Sequence, residues 1–310
     1  MYFPYLRGKQ FELLALRELA PILDSSKIIP LIEPVKTNTA SLKTAIDVLA
    51  KYNIKAQVIL NPEVGDFKSN NFSLITFFNQ LQAQGYTNLI PSFIISSDRA
   101  FDRIKTIIAD NHYDTNGFSF VHLNKVSDLD ALQSFSSSNH CLYHVVQIAH
   151  LFAMRRKLRG NVCMLNDYFN RLSNNKAYLD VPFEVFSSDY MYYQDEGCVG
   201  FSDYQVIGKD YSETGGAAFA VAIHLTYKEE GSDDIQVAHF LSDSNDGREN
   251  PAGKFFEALE KLIAFVDQKQ LTSFAIDKFR DYYNTQAYPG LGVVKKLSIM
   301  HHIQLIQGLI

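Results

Sequence analysis

Three features of the sequence predict an α/β fold, a TIM-like (β/α) barrel carrying an extra β-hairpin and a helical C-terminal extension. Apolar, β-rich runs alternate with helix-spaced segments up to about residue 170, the first run lacks a glycine-rich turn, and the rhythm changes beyond residue 185. The runs are Ile28–Ile32, Val58–Leu60, Leu89–Ile95, Phe118–Leu123, Leu142–Ile148 and Val162–Leu165. Between them, Gln10–Leu19 sets Phe11, Leu14, Ala15 and Leu19 on one face, and Ser41–Leu49 does so with Leu42, Ala45, Ile46 and Leu49. Phe72–Leu81, Ala100–Ile108 and Ser127–Phe135 continue the alternation, with Ser97 and Ser127 as expected N-caps. Strands alternating with helices require parallel pairing through right-handed crossovers. The first run ends Leu31-Ile32-Glu33-Pro34 with no glycine, which favours a barrel over a dinucleotide-binding sheet.

Gly197–Gly208 and Ala217–Tyr227 are expected to supply strands seven and eight. The polar turn 228–234 and the run Ile235–Leu241 then make a hairpin. Helices follow at Pro251–Val266, Ser273–Tyr283 and Val293–Ile306. Residues 1–245 are thus read as the barrel-like domain and 246–310 as the extension packed on it.

The chain has 310 residues, 46% of them hydrophobic and 20% charged, enough for a core without disulfides or metal. Its net charge of −5 argues against a broad nucleic-acid-binding face. Cys141, Cys163 and Cys198 are odd in number and far apart, so they form neither a disulfide framework nor a metal knuckle. No apolar run reaches the roughly 20 residues of a spanning helix, and no leader pattern opens the chain. The expectation is a soluble cytoplasmic protein with no membrane role.

In a barrel, the carboxyl ends of the strands carry the chemistry. The residues there include Glu33, Lys36, Asn61, His122, Asp167, Asp203 and His224. Carboxylates and histidine converging at one mouth serve general acid–base catalysis or hold a divalent metal. Glu33, Asp167, Asp203 and His224 are the candidate catalytic set, and no metal-binding set is assigned. Lys9, Lys36, Asn61, Lys295 and Lys296 are the candidate cofactor or phosphate contacts, although the sequence names no cofactor.

Other motifs carry less. The stretch 239–247 departs from a calcium loop, with Lys254 where the closing glutamate belongs. Gly290-Leu291-Gly292 ahead of Lys295-Lys296 lacks P-loop spacing and reads as a helix entry. His301 and His302 are adjacent on one helix and point apart. Arg155–Arg159 is the one dense basic run, and no nucleophile elbow is present.

Tyr2-Phe3-Pro4-Tyr5-Leu6-Arg7-Gly8-Lys9-Gln10 and Ile28–Pro34 are similar to the opening of the "Beta protein" family of bacteria and phages. Gly200-Phe201-Ser202-Asp203-Tyr204, Ala222–Tyr227, Gly253-Lys254-Phe255 and 289–302 are similar to its later blocks. The resemblance runs nearly end to end and implies a mobile-element or phage-defence setting, without a reaction. It draws attention to Tyr5, Lys9, Glu33, Asp203 and His224.

Two functions follow as expectations. The first is an accessory or effector protein acting through a partner encoded nearby, or as a homo-oligomer. The alternative is a hydrolase or nucleotide-binding enzyme with an acidic/His site at the barrel mouth, taking a phosphate-bearing small ligand. Whether the chain is an enzyme stays open at this point.

Overall fold

A computed structural model describes residues 1–158, 160–213 and 219–310. Arg159 of the basic run, and Ala217 and Ala218 of the expected eighth strand, lie outside the described residues. The strands are β1 (Tyr5–Leu6), β2 (Leu31–Ile32), β3 (Ala56–Ile59), β4 (Leu89–Ile95), β5 (Phe118–His122), β6 (Cys141–Gln147), β7 (Val162–Asn166), β8 (Phe183–Ser187), β9 (Gly200–Asp203), β10 (Ala222–Lys228) and β11 (Ile235–Leu241). They divide between two compact units. One comprises residues 1–13, 20–166 and 189–203, and the other residues 14–19, 167–188 and 204–310.

The first unit is an eight-stranded parallel sheet in the order β1-β2-β3-β4-β5-β6-β7-β9. Helices Ala40–Lys51, Phe72–Ala83, Asp98–Asp110, Leu129–Ser138 and Ile148–Met154 fall between its strands. The residues before β1 draw the two edges together. Tyr2 bridges both Ile28 and Phe201, Phe3 N donates to Phe201 O at 2.9 Å, and Phe201 N donates to Met1 O at 3.0 Å. Gly200 makes this approach possible, since a Cβ there would fall 2.4 Å from the Phe3 ring and 2.6 Å from Met1 O.

The pleat separates two environments. Phe3, which precedes β1, and Tyr143 of β6 lie on segments that are not sheet neighbours, yet their rings lie 5.0 Å apart, so both occupy the lumen. The ladder carries that side from Tyr143 to Ser119, from Ser119 to Ser92, and from Ser92 to Ile59, two residues beyond Gln57. Gln57, Ser92 and Ser119 are all fully buried, so the lumen is partly polar. On the opposite side, Phe120 of β5 packs on Phe101 and Phe135 of the flanking helices at 6.0 and 6.4 Å.

The expected N-caps resolve differently. Ser97 Oγ accepts from Ala100 N at 3.2 Å, as expected. In the next helix Asp128 takes the cap at 2.8 Å from Ala131 N. Ser127 instead donates its hydroxyl to Asp98 at 2.6 Å. A carboxylate one residue nearer the helix is the stronger acceptor.

The second unit contains an antiparallel sheet in the order β10-β11-β8 and helices Pro251–Gln268, Phe274–Thr285 and Leu291–Leu309. The hairpin is present, with Ala222 opposite Leu241 and Lys228 opposite Ile235. Residues 222–227 of the expected eighth strand belong to the other sheet, because β10 pairs with β11, and the eighth barrel strand is the two-residue β1. A two-residue strand has too few alternations to reveal itself in a sequence. Phe265 is half-buried, its ring lying 5.7, 5.0 and 5.3 Å from Phe183, Tyr227 and Phe240. His301 and His302 are buried against one strand residue: His301 Nε2 lies 2.7 Å from Thr226 O and His302 Nδ1 3.0 Å from Thr226 Oγ1. Among the described residues, no helix is long and apolar enough to cross a membrane.

Candidate functional site

In the first unit, chemistry concentrates around Glu33, the residue that follows β2. Its carboxylate is fully buried. Tyr5 donates its hydroxyl to Oε2 at 2.7 Å, Arg7 Nη1 pairs with the same oxygen, and Glu63 N donates to Oε1 at 2.9 Å. The Arg7 guanidinium also covers the Tyr5 ring, 5.1 Å from its centroid, and Arg7 N donates to Glu12 Oε2 at 2.5 Å. Taking a carboxylate out of water costs several kcal/mol unless pairing and hydrogen bonds replace the lost hydration. Three donors, from β1, the residue after it and one loop, do that here. A carboxylate has about four acceptor positions, so one on Oε1 is left for a further donor.

The other expected residues of this unit are placed separately. Asp203, at the end of β9, is buried and accepts from the Tyr2 hydroxyl at 2.7 Å. Its ladder partner is Asn166. Ser202 and Gly200 take the lumen side of β9, so Asp203 faces outward and does not share Glu33's position. Asn61 is occupied by backbone: its Nδ2 donates to Ile94 O and its Oδ1 accepts from Ile94 N, both at 2.8 Å. It prolongs the β3–β4 ladder with a side chain. Lys36 lies 3.5 Å from Asp66 and is half exposed. Lys9 stands one residue before the Gln10–Leu19 helix, where its carbonyl accepts from Leu13 N at 2.9 Å.

His122 is on the helix-facing side, not over the lumen. Its Nε2 lies 2.9 Å from His144 Nδ1, and His144 Nε2 lies 3.5 Å from Cys141 Sγ. Burial holds the His144 pKa down at about 3, holds His122 well below its usual value and pushes the Cys141 thiol well up, so all three are neutral. His122 Nδ1 is buried without a partner. An orphan acceptor is tolerated better than an orphan N–H, which assigns the proton to Nε2 and directs the chain His122→His144→Cys141.

The second unit holds Asp167, His224, Lys295 and Lys296. His224 Nδ1 and His239 Nδ1 are 2.7 Å apart on neighbouring strands. His239 Nε2 lies 3.1 Å from Glu184 Oε1 on β8. The rings of Phe169 and Tyr178 wall His224 at 5.0 and 4.8 Å. Burial first, then the charges of His239 and Lys295, bring the His224 pKa down to about 3. Burial lowers His239 also, with Glu184 opposing. Because a carboxylate only accepts, His239 carries its proton on Nε2. His224 then donates from Nδ1 to His239 Nδ1, leaving the His224 Nε2 lone pair at the end of a Glu–His–His chain.

Asp167 Oδ2 accepts from Lys209 N at 3.0 Å, and burial raises its pKa. Lys296 is buried and pairs with Glu18 at 2.5 Å, a structural ion pair, while Lys295 is exposed. Glu184 and His239 escaped sequence reading because a dyad on facing strands depends on register, which short runs do not fix. Arg7 stood in plain view beside Tyr5, but nothing in spacing pairs it with a carboxylate 26 residues later. Among the described residues, no group of three or more His, Cys, Asp or Glu side chains is placed to hold a metal ion.

The chain matches no family model, and no curated protein shows significant similarity to it.

Proposed function

We propose that the chain binds and acts on a small polar molecule at the carboxyl end of its barrel, with Glu33 as the anchoring group. The observation that carries this reading is a fully buried carboxylate held by Tyr5, Arg7 and Glu63 with one acceptor position left over. A purely structural ion pair is rarely worth its desolvation, whereas the carboxyl ends of barrel strands are where polar groups meet ligands. The test is a panel of nucleotides, sugar phosphates and p-nitrophenyl esters, read by melting temperature and by product release. Wild-type protein should respond to at least one compound class. Tyr5→Phe, which removes one donor and no volume, should reduce that response about fivefold or more. Wild-type protein inert to the whole panel would remove the reading.

A second reading keeps the accessory role through a protein partner, in a mobile-element setting like that of the "Beta protein" family. It is supported by Phe183 and Val185, which are 50% and 59% exposed on β8, at one edge of its sheet. Exposed apolar edge strands attract pairing. Val185→Lys should abolish co-purification with a neighbour-encoded protein, and unchanged recovery would set this reading aside.

A further inference from the structure

Beyond β3 and β4 of the first unit lies a cavity of about 550 Å³, lined among others by Lys68, Arg99 and Arg103. None of these three side chains has an ion pair, hydrogen bond or ring contact among the described residues. That sets them apart from Lys43, Lys105, Lys157, Lys261, Lys269 and Lys296, each within 2.7 Å of a carboxylate oxygen. The nearby carboxylates are engaged elsewhere. Asp98 accepts from Ser127 N and Oγ at 3.0 and 2.6 Å, and Asp102 pairs with Lys105 at 2.7 Å.

Glu63 is the only carboxylate on the wall, so three cations less one anion leave the lining at +2. The chain as a whole carries −5. Like charges gathered without counter-charges repel one another, a cost that a bound anion removes. Hydroxyls of Ser69 and Ser96 border the same space, and Pro62, Ile104 and Ile107 give it an apolar side. A cavity of this size, part charged and part apolar, suits a small organic molecule with an anionic end. Guanidinium forks match phosphate oxygens, and Lys adds a point charge.

We infer that this cavity binds the phosphate of a phosphorylated small molecule through Lys68, Arg99 and Arg103, with the organic part against Ile104 and Ile107. This rests on the reading of the barrel's carboxyl end as the working face and deepens it by naming the ligand class. The two places are linked by one residue: Glu63 donates its backbone N–H to Glu33 and lines the cavity. None of Lys68, Arg99 and Arg103 stands in a sequence motif, and Asn61, which also lines the cavity, is held by backbone.

The test is calorimetric titration of the full chain with inorganic phosphate and, separately, with adenosine monophosphate and glucose 6-phosphate. All three should bind, and the tighter of the two organic phosphates identifies the organic part. Arg99→Ala with Arg103→Ala should weaken binding at least about tenfold, because charge-assisted hydrogen bonds are lost. Raising the salt from about 0.05 to 0.5 M should weaken it too. Lys105→Ala, whose lysine pairs with Asp102 on the same helix, should bind as wild type does. Arg99 and Arg103 are exposed and the Lys105 side chain is 37% exposed, so circular dichroism should show all variants folded. No phosphate binding, or equal binding by the double variant, overturns the proposal. Phosphate binding is measured without turnover, so a missing activity counts only against the role of Glu33.

Discussion

Glu33 in the barrel and His224 in the smaller sheet bury polar chemistry in opposite ways. Glu33 keeps an ion inside and surrounds it with a guanidinium, a hydroxyl and an amide. His224 is one of two neutral rings handing protons along toward Glu184, walled by Phe169 and Tyr178. The first arrangement depends on a counter-ion, and the second on proton placement. Ion pairs in low dielectric fail when one partner is removed. Neutral chains fail when pH adds a charge.

The largest effect should come from breaking the pair in the barrel. Arg7→Met leaves Glu33 buried without its cation and should cost about 3–5 kcal/mol, read as a lower urea midpoint. Adding Glu33→Leu to the same chain should recover most of that loss. A double variant as unstable as the single one would show that packing, not charge, holds the site.

The histidines respond to acid instead. His144, His224 and His301 have folded pKa values of about 3, 3 and 4, against an unfolded value near 6.5. Below 6.5 the unfolded chain binds protons that the folded chain refuses, so stability falls as pH drops from about 6.5 toward 4. The fully buried His144 alone accounts for at most about 1.4 kcal/mol per pH unit in that window. His144→Gln should flatten the slope of urea midpoint against pH, and an unchanged slope would mean His144 is not the neutral group described. His239→Phe should cost about 1–3 kcal/mol at pH 7 by stranding His224 Nδ1–H and Glu184, measured the same way. The smallest effect is Tyr2→Phe, which removes the bond to Asp203 and should cost about 1 kcal/mol.

The sequence made the alternation legible because helices such as Ser41–Leu49 and runs such as Leu89–Ile95 are long enough to show their period. It hid β1, which is two residues long, and it gave β10 to the wrong sheet, because an apolar run does not reveal its partner. Of the candidate residues, Glu33 stands at a strand end in a buried polar cluster. Asp203 failed to join it because strand-end position fixes height along the barrel, and the pleat then decides which face a side chain takes. Lys296 looked like a phosphate contact and is instead paired with Glu18, 278 positions away. Lys68, Arg99 and Arg103 carry no sequence signal for the opposite reason, since they form no run and meet only around the cavity.

The seam of the barrel also has a history in time. Met1, Phe3 and Phe201 exchange backbone bonds across about 200 residues of chain, and that separation must be crossed before either sheet edge is covered. At 5–20 residues per second, the opening strand leaves the ribosome roughly 10–40 s before its partner is made. During that interval the nascent chain carries an open parallel edge able to pair with other chains. Gly200 then acts last, as the small gap through which Phe3 is allowed to seat.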